Sequence, residues 1–196
     1  MARLIGQVLD ASRLQSGVGL RMQPESLDLS ALLAEVLNEA RLAYPDSLIL
    51  QELESPLIAE ADAGRIVQLC GELISNAREY GAANGPTVVQ LSRQGAEFFI
   101  EVSNIAPPID AGFLPNLFAA VHRTPAPKAR KKSGLGLGLH IAQAIARGHR
   151  GYIRYRYAEP YVVFTVRFPA GLGAAVGGSA AKTRTQMPVR SLVHAR

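Results

Sequence analysis

The 196-residue chain has no tryptophan and one cysteine, Cys70. A lone cysteine cannot close an internal disulfide, so a reducing, cytoplasmic setting is expected. Histidine is also scarce: the four, at 122, 140, 149 and 194, are scattered, and no Cys/His group has metal-ligand spacing. No apolar run approaches the roughly 18 residues needed to cross a bilayer. Arg3, Asp10 and Arg13 interrupt the start where a signal peptide needs an apolar stretch, so a soluble chain without membrane contact is expected. Only 18 Gly and 12 Pro are present against 48% apolar residues, which excludes collagen and wholesale disorder and supplies one sizeable core.

Charge is unevenly spread. Residues 1–110 carry seven basic and fifteen acidic side chains, whereas 111–196 carry fourteen basic and one acidic. The basic excess is concentrated in Arg123–Lys132 and Lys182–Arg196, so the sequence describes no continuous basic surface and no nucleic-acid partner is expected.

Residues 2–16 place Leu4, Ile5, Val8, Leu9, Ala11 and Leu14 at helical spacing, and Gly17 and Gly19 stop the pattern. Too short to bury itself, this helix needs a partner. Leu20–Pro24 reads as strand-like. Asp28 can cap a helix to about Tyr44, and Asp62 a longer one to about Gly81. Short strands are predicted over Ser47–Leu53 and Leu57–Glu60. Hairpins are predicted over Thr87–Ser92 with Phe98–Asn104, and over Gly151–Tyr157 with Tyr161–Phe168. A Pro-rich irregular section, residues 105–133, precedes a helix from about Leu137 to Gly148. Paired strands interleaved with long helices indicate an α+β fold, with helices on one face of a mixed sheet. From Gly171 onward the Gly-, Ala- and Ser-rich tail has no period and reads as disordered or accessory.

Three stretches could carry chemistry. On the helix 62–81, Ile66, Leu69, Cys70, Leu73 and Ala77 form an apolar arc, while Arg65, Glu72, Asn76 and Glu79 fall within ~60° of one another on the other side. Glu72 and Asn76, one turn apart, offer hard oxygens suited to Mg²⁺ on a phosphate chain; an ordinary solvated face is the alternative. Gly134, Gly136 and Gly138 lead straight into a helix, where backbone N–H groups and the helix start could hold an anion, or the run could be a hinge. Their spacing matches neither the dinucleotide fingerprint nor the phosphate loop. Just before them, Arg123, Lys128, Arg130, Lys131 and Lys132, interleaved with Pro125 and Pro127, make either a cationic flap or a solvated loop.

The order of these stretches resembles the ATP-binding catalytic domain of sensor histidine kinases, in the wider superfamily that includes gyrase and MutL. Glu72-Leu-Ile-Ser-Asn76-Ala-Arg-Glu-Tyr80 resembles the asparagine box, and Val102-Ser-Asn104-Ile-Ala106-Pro-Pro108-Ile109 the first glycine box. Phe113–Phe118 is similar to the phenylalanine box, Gly134–Gly138 with Leu139 to the second glycine box, and Leu9–Gly17 to the end of the dimerisation and phosphoacceptor helices. The resemblance covers most of residues 1–169. It implies a two-layer α/β sandwich, a mixed sheet packed against about three helices, with a short N-terminal helical remnant. The implied boundaries are 1–18 for the end of the helical domain, 19–170 for the catalytic domain and 171–196 for the tail.

It also implies roles. Asn76 would ligate Mg²⁺, Glu72 would assist metal or water placement, and Asn104 would meet the adenine amino group. Tyr80, Ala106, Ile109, Lys132, Gly134, Leu135, Gly136, Leu137 and Gly138 would complete the ATP site. The implied reaction moves the ATP γ-phosphate to a histidine on a helical dimerisation domain, then to a response-regulator aspartate, in a homodimeric full-length protein. No histidine precedes His122, so the acceptor is expected on a longer chain or a partner. His140 and His149 are expected to be structural. The family usually has Asp at 104 and glycines where Ala106 and Pro108 stand, and a basic residue is common where Glu79 is. A binding module without turnover is the second reading those departures motivate. A DNA-acting ATPase is disfavoured by the N-terminal helix.

Overall fold

The computed structural model describes residues 2–120 and 136–171. The tail beyond 171 and the basic stretch 123–132 lie outside the described residues.

Helix α1 spans Ala2–Gln15, strand β1 Glu25–Asp28, helix α2 Leu29–Ala43, strand β2 Ile49–Leu53, strand β3 Ile58–Ala61 and helix α3 Ala63–Tyr80. Strands β4, Thr87–Gln94, and β5, Glu97–Ile105, follow; a 3₁₀ turn at Leu114–Asn116 and helix α4, Gly138–Gly148, lead to β6, Tyr152–Ala158, and β7, Tyr161–Pro169. The five-stranded sheet runs β2-β4-β5-β7-β6, with β2 and β4 parallel and the other pairs antiparallel. Strands β1 and β3 form a separate antiparallel pair. This is the mixed sheet under helices that the hydrophobic pattern predicts. The short strand near residue 24 lies later than expected, at Glu25–Asp28, where its backbone pairs with β3; Leu20–Pro24 has no regular structure.

Alternation explains the layering. Phe98, Ile100 and Val102 on β5 and Val162, Phe164, Val166 and Phe168 on β7 point to one face and join Leu33, Leu37, Ile66, Leu69, Leu73, Ile141 and Ile145 in a single core. Val88, Tyr161 and Val163 form a small cluster on the opposite face. Turn chemistry fixes the register: Gly95, with φ 61°, opens the two-residue turn between β4 and β5. Arg150, with φ 58°, lets the chain leave α4 for β6.

Side-chain caps start two helices. Asp28 accepts from the Ser30 backbone N–H at 2.9 Å and also ties in the Leu57 N–H at 3.2 Å, while Asp62 accepts from Arg65 N–H at 3.0 Å. The Ser30 hydroxyl is the main reason the Asp28 carboxyl sits below its ordinary range. His149 is structural, as expected. Its Nδ1–H donates to the Ile145 carbonyl at 2.9 Å and its Nε2 accepts from the Asp62 N–H at 3.0 Å, joining the end of α4 to the start of α3. Among the described residues, no helix is long and apolar enough to cross a membrane.

Helix α1 departs most from its sequence pattern. Gln7, Asp10 and Ala11 are buried, while Val8 and Leu9 stay 51% and 59% exposed. The reason is the partner: the side of α3 facing α1 presents Arg65, Gln68 and Glu72, so α1 meets it with polar groups. Arg65 pairs with Asp10 at 2.7 Å, Gln68 Nε2 donates to Asp10 at 2.8 Å, and Gln7 Nε2 donates to Glu72 at 2.7 Å.

Candidate functional site

Three segments converge beside the helical layer. The first is the polar edge of α3. Glu72 is not on a solvated face: it is 5% exposed, and both of its carboxylate oxygens accept from Gln7 Nε2 at 2.7 Å. Asn76 lies one turn further along the same side, half-buried, followed by half-buried Glu79 and Tyr80. Arg78 points its charge elsewhere, stacking 3.3 Å over the Tyr44 ring and donating to Ser47 Oγ at 3.0 Å.

The second segment is the end of β5. Asn104 follows Phe98, Ile100 and Val102 on the helix-facing side, so alternation turns a carboxamide toward α3 where the core gives out. It is 4% exposed, and its Nδ2 has no hydrogen-bond partner among the described residues. An unsatisfied buried donor of this kind costs about 1–3 kcal/mol, which calls for a ligand acceptor. Gly81, which closes α3, makes room for it: a Cβ there would stand 3.1 Å from Nδ2. Beyond Asn104, Ala106 and Ile109 are half-buried apolar groups packed against the core. Their backbones are fixed by bonds from Ala106 N–H to the Pro160 carbonyl, 3.1 Å, and from Ile109 N–H to Tyr155 Oη, 2.9 Å.

The third is the start of α4. Gly136 takes φ 72°, a conformation that suits glycine, and Leu137 is buried. Leu137 stands at the cap position and supplies no side-chain acceptor to the first N–H groups of α4. Gly138 lies against Glu72, and a Cβ on it would be 2.7 Å from Glu72 Oε2. His140 Nδ1 is 3.0 Å from the Phe118 carbonyl, which pins the phenylalanine stretch to α4; Phe118 meets Phe164 edge-on at 6.3 Å.

Of the site residues read from sequence, Glu72 and Gly138 are therefore in direct apposition, and Asn104 and the end of α3 meet at Gly81. Lys132, Gly134 and Leu135 lie outside the described residues. Among those described, no cluster of three or more His, Cys, Asp or Glu side chains is placed to hold a metal. Glu72 and Asn76 offer the carboxylate and carboxamide oxygens that Mg²⁺ accepts alongside substrate phosphates, which fits an ion needing only one or two protein ligands. Sequence reasoning missed Gln7 and Asp10 as partners of this edge. The signal was present, since two polar residues three apart interrupt an apolar helical pattern.

Comparisons with known proteins identify the family and the fold. Residues 61–172 match the family model described as histidine kinase-, DNA gyrase B-, and HSP90-like ATPase. The bacteriophytochrome of Pseudomonas aeruginosa is 38% identical over 169 residues, covering 86% of this chain and 23% of that protein. The catalytic domain of the histidine kinase ThkA is 28% identical with a TM-score of 0.67, over 76% of this chain and 97% of that one. The fold is also that of ThkA in its complex with the response regulator TrrA, at 24% identity and TM-score 0.67, over 86% of this chain and 48% of that one. The chain spans between 21% and 44% of the length of the curated relatives compared.

Proposed function

Because this chain belongs to the histidine kinase-, DNA gyrase B- and HSP90-like ATPase family, homologous to sensor histidine kinases, we propose that it binds Mg·ATP at this convergence and passes the γ-phosphate to a histidine on a helical domain. The observation that carries the reading is the buried Asn104 Nδ2, without a hydrogen-bond partner among the described residues, set beside the α3 edge and the start of α4, whose cap residue Leu137 offers no side-chain acceptor.

The base would stack between Ala106, Ile109 and Leu137, with Asn104 on its polar edge. Backbone N–H groups from Gly136 to Gly138 would take the phosphates, helped by the helix start and by Gly134, Leu135 and Lys132. Asn76 would hold Mg²⁺. Bound there, the ion would neutralise charge on the phosphate chain. Glu72 would assist from beneath once released from Gln7. Phosphoryl transfer asks little covalent chemistry of a protein, so positioning and charge neutralisation are the contributions to expect.

A response regulator would then receive the phosphate. The exposed Val8 and Leu9 on α1 suit a helical dimer of the whole protein. Residues 1–18, 19–170 and 171–196 would be the helical end, catalytic domain and tail, in a cytoplasmic setting.

The test is a titration with a fluorescent ATP analogue, with and without Mg²⁺, followed by γ-labelled ATP and a separately supplied histidine-bearing helical domain. The expected results are Mg²⁺-dependent binding that Asn76→Ala abolishes, and acid-labile label on the acceptor. Binding that is tight but never yields label would leave a nucleotide-holding module without turnover.

A further inference from the structure

We propose that Asn104 lets the base pocket accept 6-oxopurine as well as 6-aminopurine nucleoside triphosphates. The inference rests on the nucleotide reading above and goes beyond it by naming the base classes admitted.

The Asn104 carboxamide is nearly enclosed, and its Nδ2 meets no acceptor among the described residues. The backbone on either side is fixed, Asn104 being paired with Thr87 on β4 and Val162 on β7. The side chain's last torsion is not held by any bond at Nδ2, and that torsion is intrinsically broad and two-fold. Gly81 lies beside Nδ2, where an added Cβ would stand 3.1 Å away, and glycine has no side chain to select one orientation.

A carboxamide presents one donor and one acceptor side by side. The 1,6-edge of adenine offers the complementary pair, an amino donor at C6 and an acceptor at N1. Hypoxanthine and guanine present the same pair reversed, an oxo acceptor at C6 and a donor N1–H. Turning the amide by half a revolution exchanges its nitrogen and oxygen without changing its shape. Asn104 can therefore match either edge with two bonds. A carboxylate in its place only accepts; it would keep the bond from a 6-amino group and oppose a 6-oxo group.

Inosine triphosphate is the appropriate probe, because it differs from ATP only at the 1,6-edge. In competition against a fluorescent ATP analogue with Mg²⁺ present, ITP is expected to bind the wild-type chain within about fivefold of ATP, since a mismatched pair of base-edge bonds costs roughly five- to 150-fold. Asn104→Asp is expected to lower ITP relative to ATP by at least about fivefold. Weaker wild-type binding of ITP than this, or an unchanged ratio in the variant, overturns the proposal. A second measurement needs no variant: 1-deaza-ATP keeps the amino group but replaces N1 by C–H, and should bind the wild type at least about fivefold more weakly than ATP. Equal affinity would mean Nδ2 stays idle and would also overturn the proposal. Absence of binding by ATP itself sinks the nucleotide reading instead, so the two failures are told apart.

Discussion

Replacing Gly138 by alanine tests how tightly α4 is seated on Glu72. The new Cβ would lie 2.7 Å from Glu72 Oε2, whereas ordinary contact begins near 3.4 Å, so the carboxylate must retreat by about 0.7 Å. Glu72 cannot retreat freely, because both oxygens are bonded to Gln7 Nε2 at 2.7 Å and the side chain is buried. Stretching those bonds past about 3.2 Å forfeits a charge-assisted interaction worth about 1.5–3 kcal/mol. Alanine returns at most about 0.5–1 kcal/mol by lowering the entropy of the unfolded chain. The net expectation is a loss of about 1–2 kcal/mol, a fall in Tm of about 2–8 °C for a chain of this size. Urea denaturation of wild type, Gly138→Ala, Glu72→Ala and the double variant closes the cycle. In the Glu72→Ala background the clashing atom is gone, and Gly138→Ala should be neutral or slightly stabilising. An equal loss in both backgrounds, or a higher Tm from Gly138→Ala alone, would refute the reasoning.

Three further outcomes follow from the same structure. A Cβ on Gly151 would run into the Arg167 carbonyl and approach Phe168 Cβ at 2.9 Å; Gly151→Ala should therefore lower the urea midpoint by an amount equivalent to about 3 kcal/mol, and an unchanged midpoint would show that β6 can move aside. Burial pushes the Cys70 thiol up to about 12. A disulfide reagent at pH 8 should leave it unlabelled in the native protein and label it once on unfolding in urea, whereas fast native labelling would contradict its burial. For His149, burial lowers the pKa, opposed by the Ile145 carbonyl and the Asp62 charge. Its neutral form therefore supports the fold above the unfolded value of about 6.5, and that support is lost as pH falls through the lower folded value. An NMR titration should place the His149 midpoint below that of an unfolded peptide; a higher one would reverse the sign.

Much of this was legible in the sequence because local signals and burial agree. Asp28 and Asp62 cap the helices they were expected to cap, and the alternation of Phe98, Ile100 and Val102 marks the inner face of β5. The boxes at Glu72–Tyr80 and Val102–Ile109 gave the family, since their order along the chain is more specific than any one of them. What was hidden depends on contacts far apart in the chain. Periodicity alone assigned Val8 and Leu9 to a buried stripe, whereas the polar edge of α3 drew Gln7 and Asp10 inward. For the same reason a solvated face stayed open as the alternative for Glu72, which is 5% exposed. β1 was displaced by a few residues because a four-residue strand is defined by its partner β3 and carries little signal of its own.

The seating of α1 makes the polarity around Glu72 a function of that helix's angular setting. Successive side chains are separated by about 100° around a helix axis, so a twist of one residue would carry Gln7 away and bring Val8 opposite the carboxylate. The same turn would withdraw Asp10 from Arg65. A rotation of that size about the N-terminal helix axis would strip the buried Glu72 carboxylate of its amide donor and leave an aliphatic group facing it.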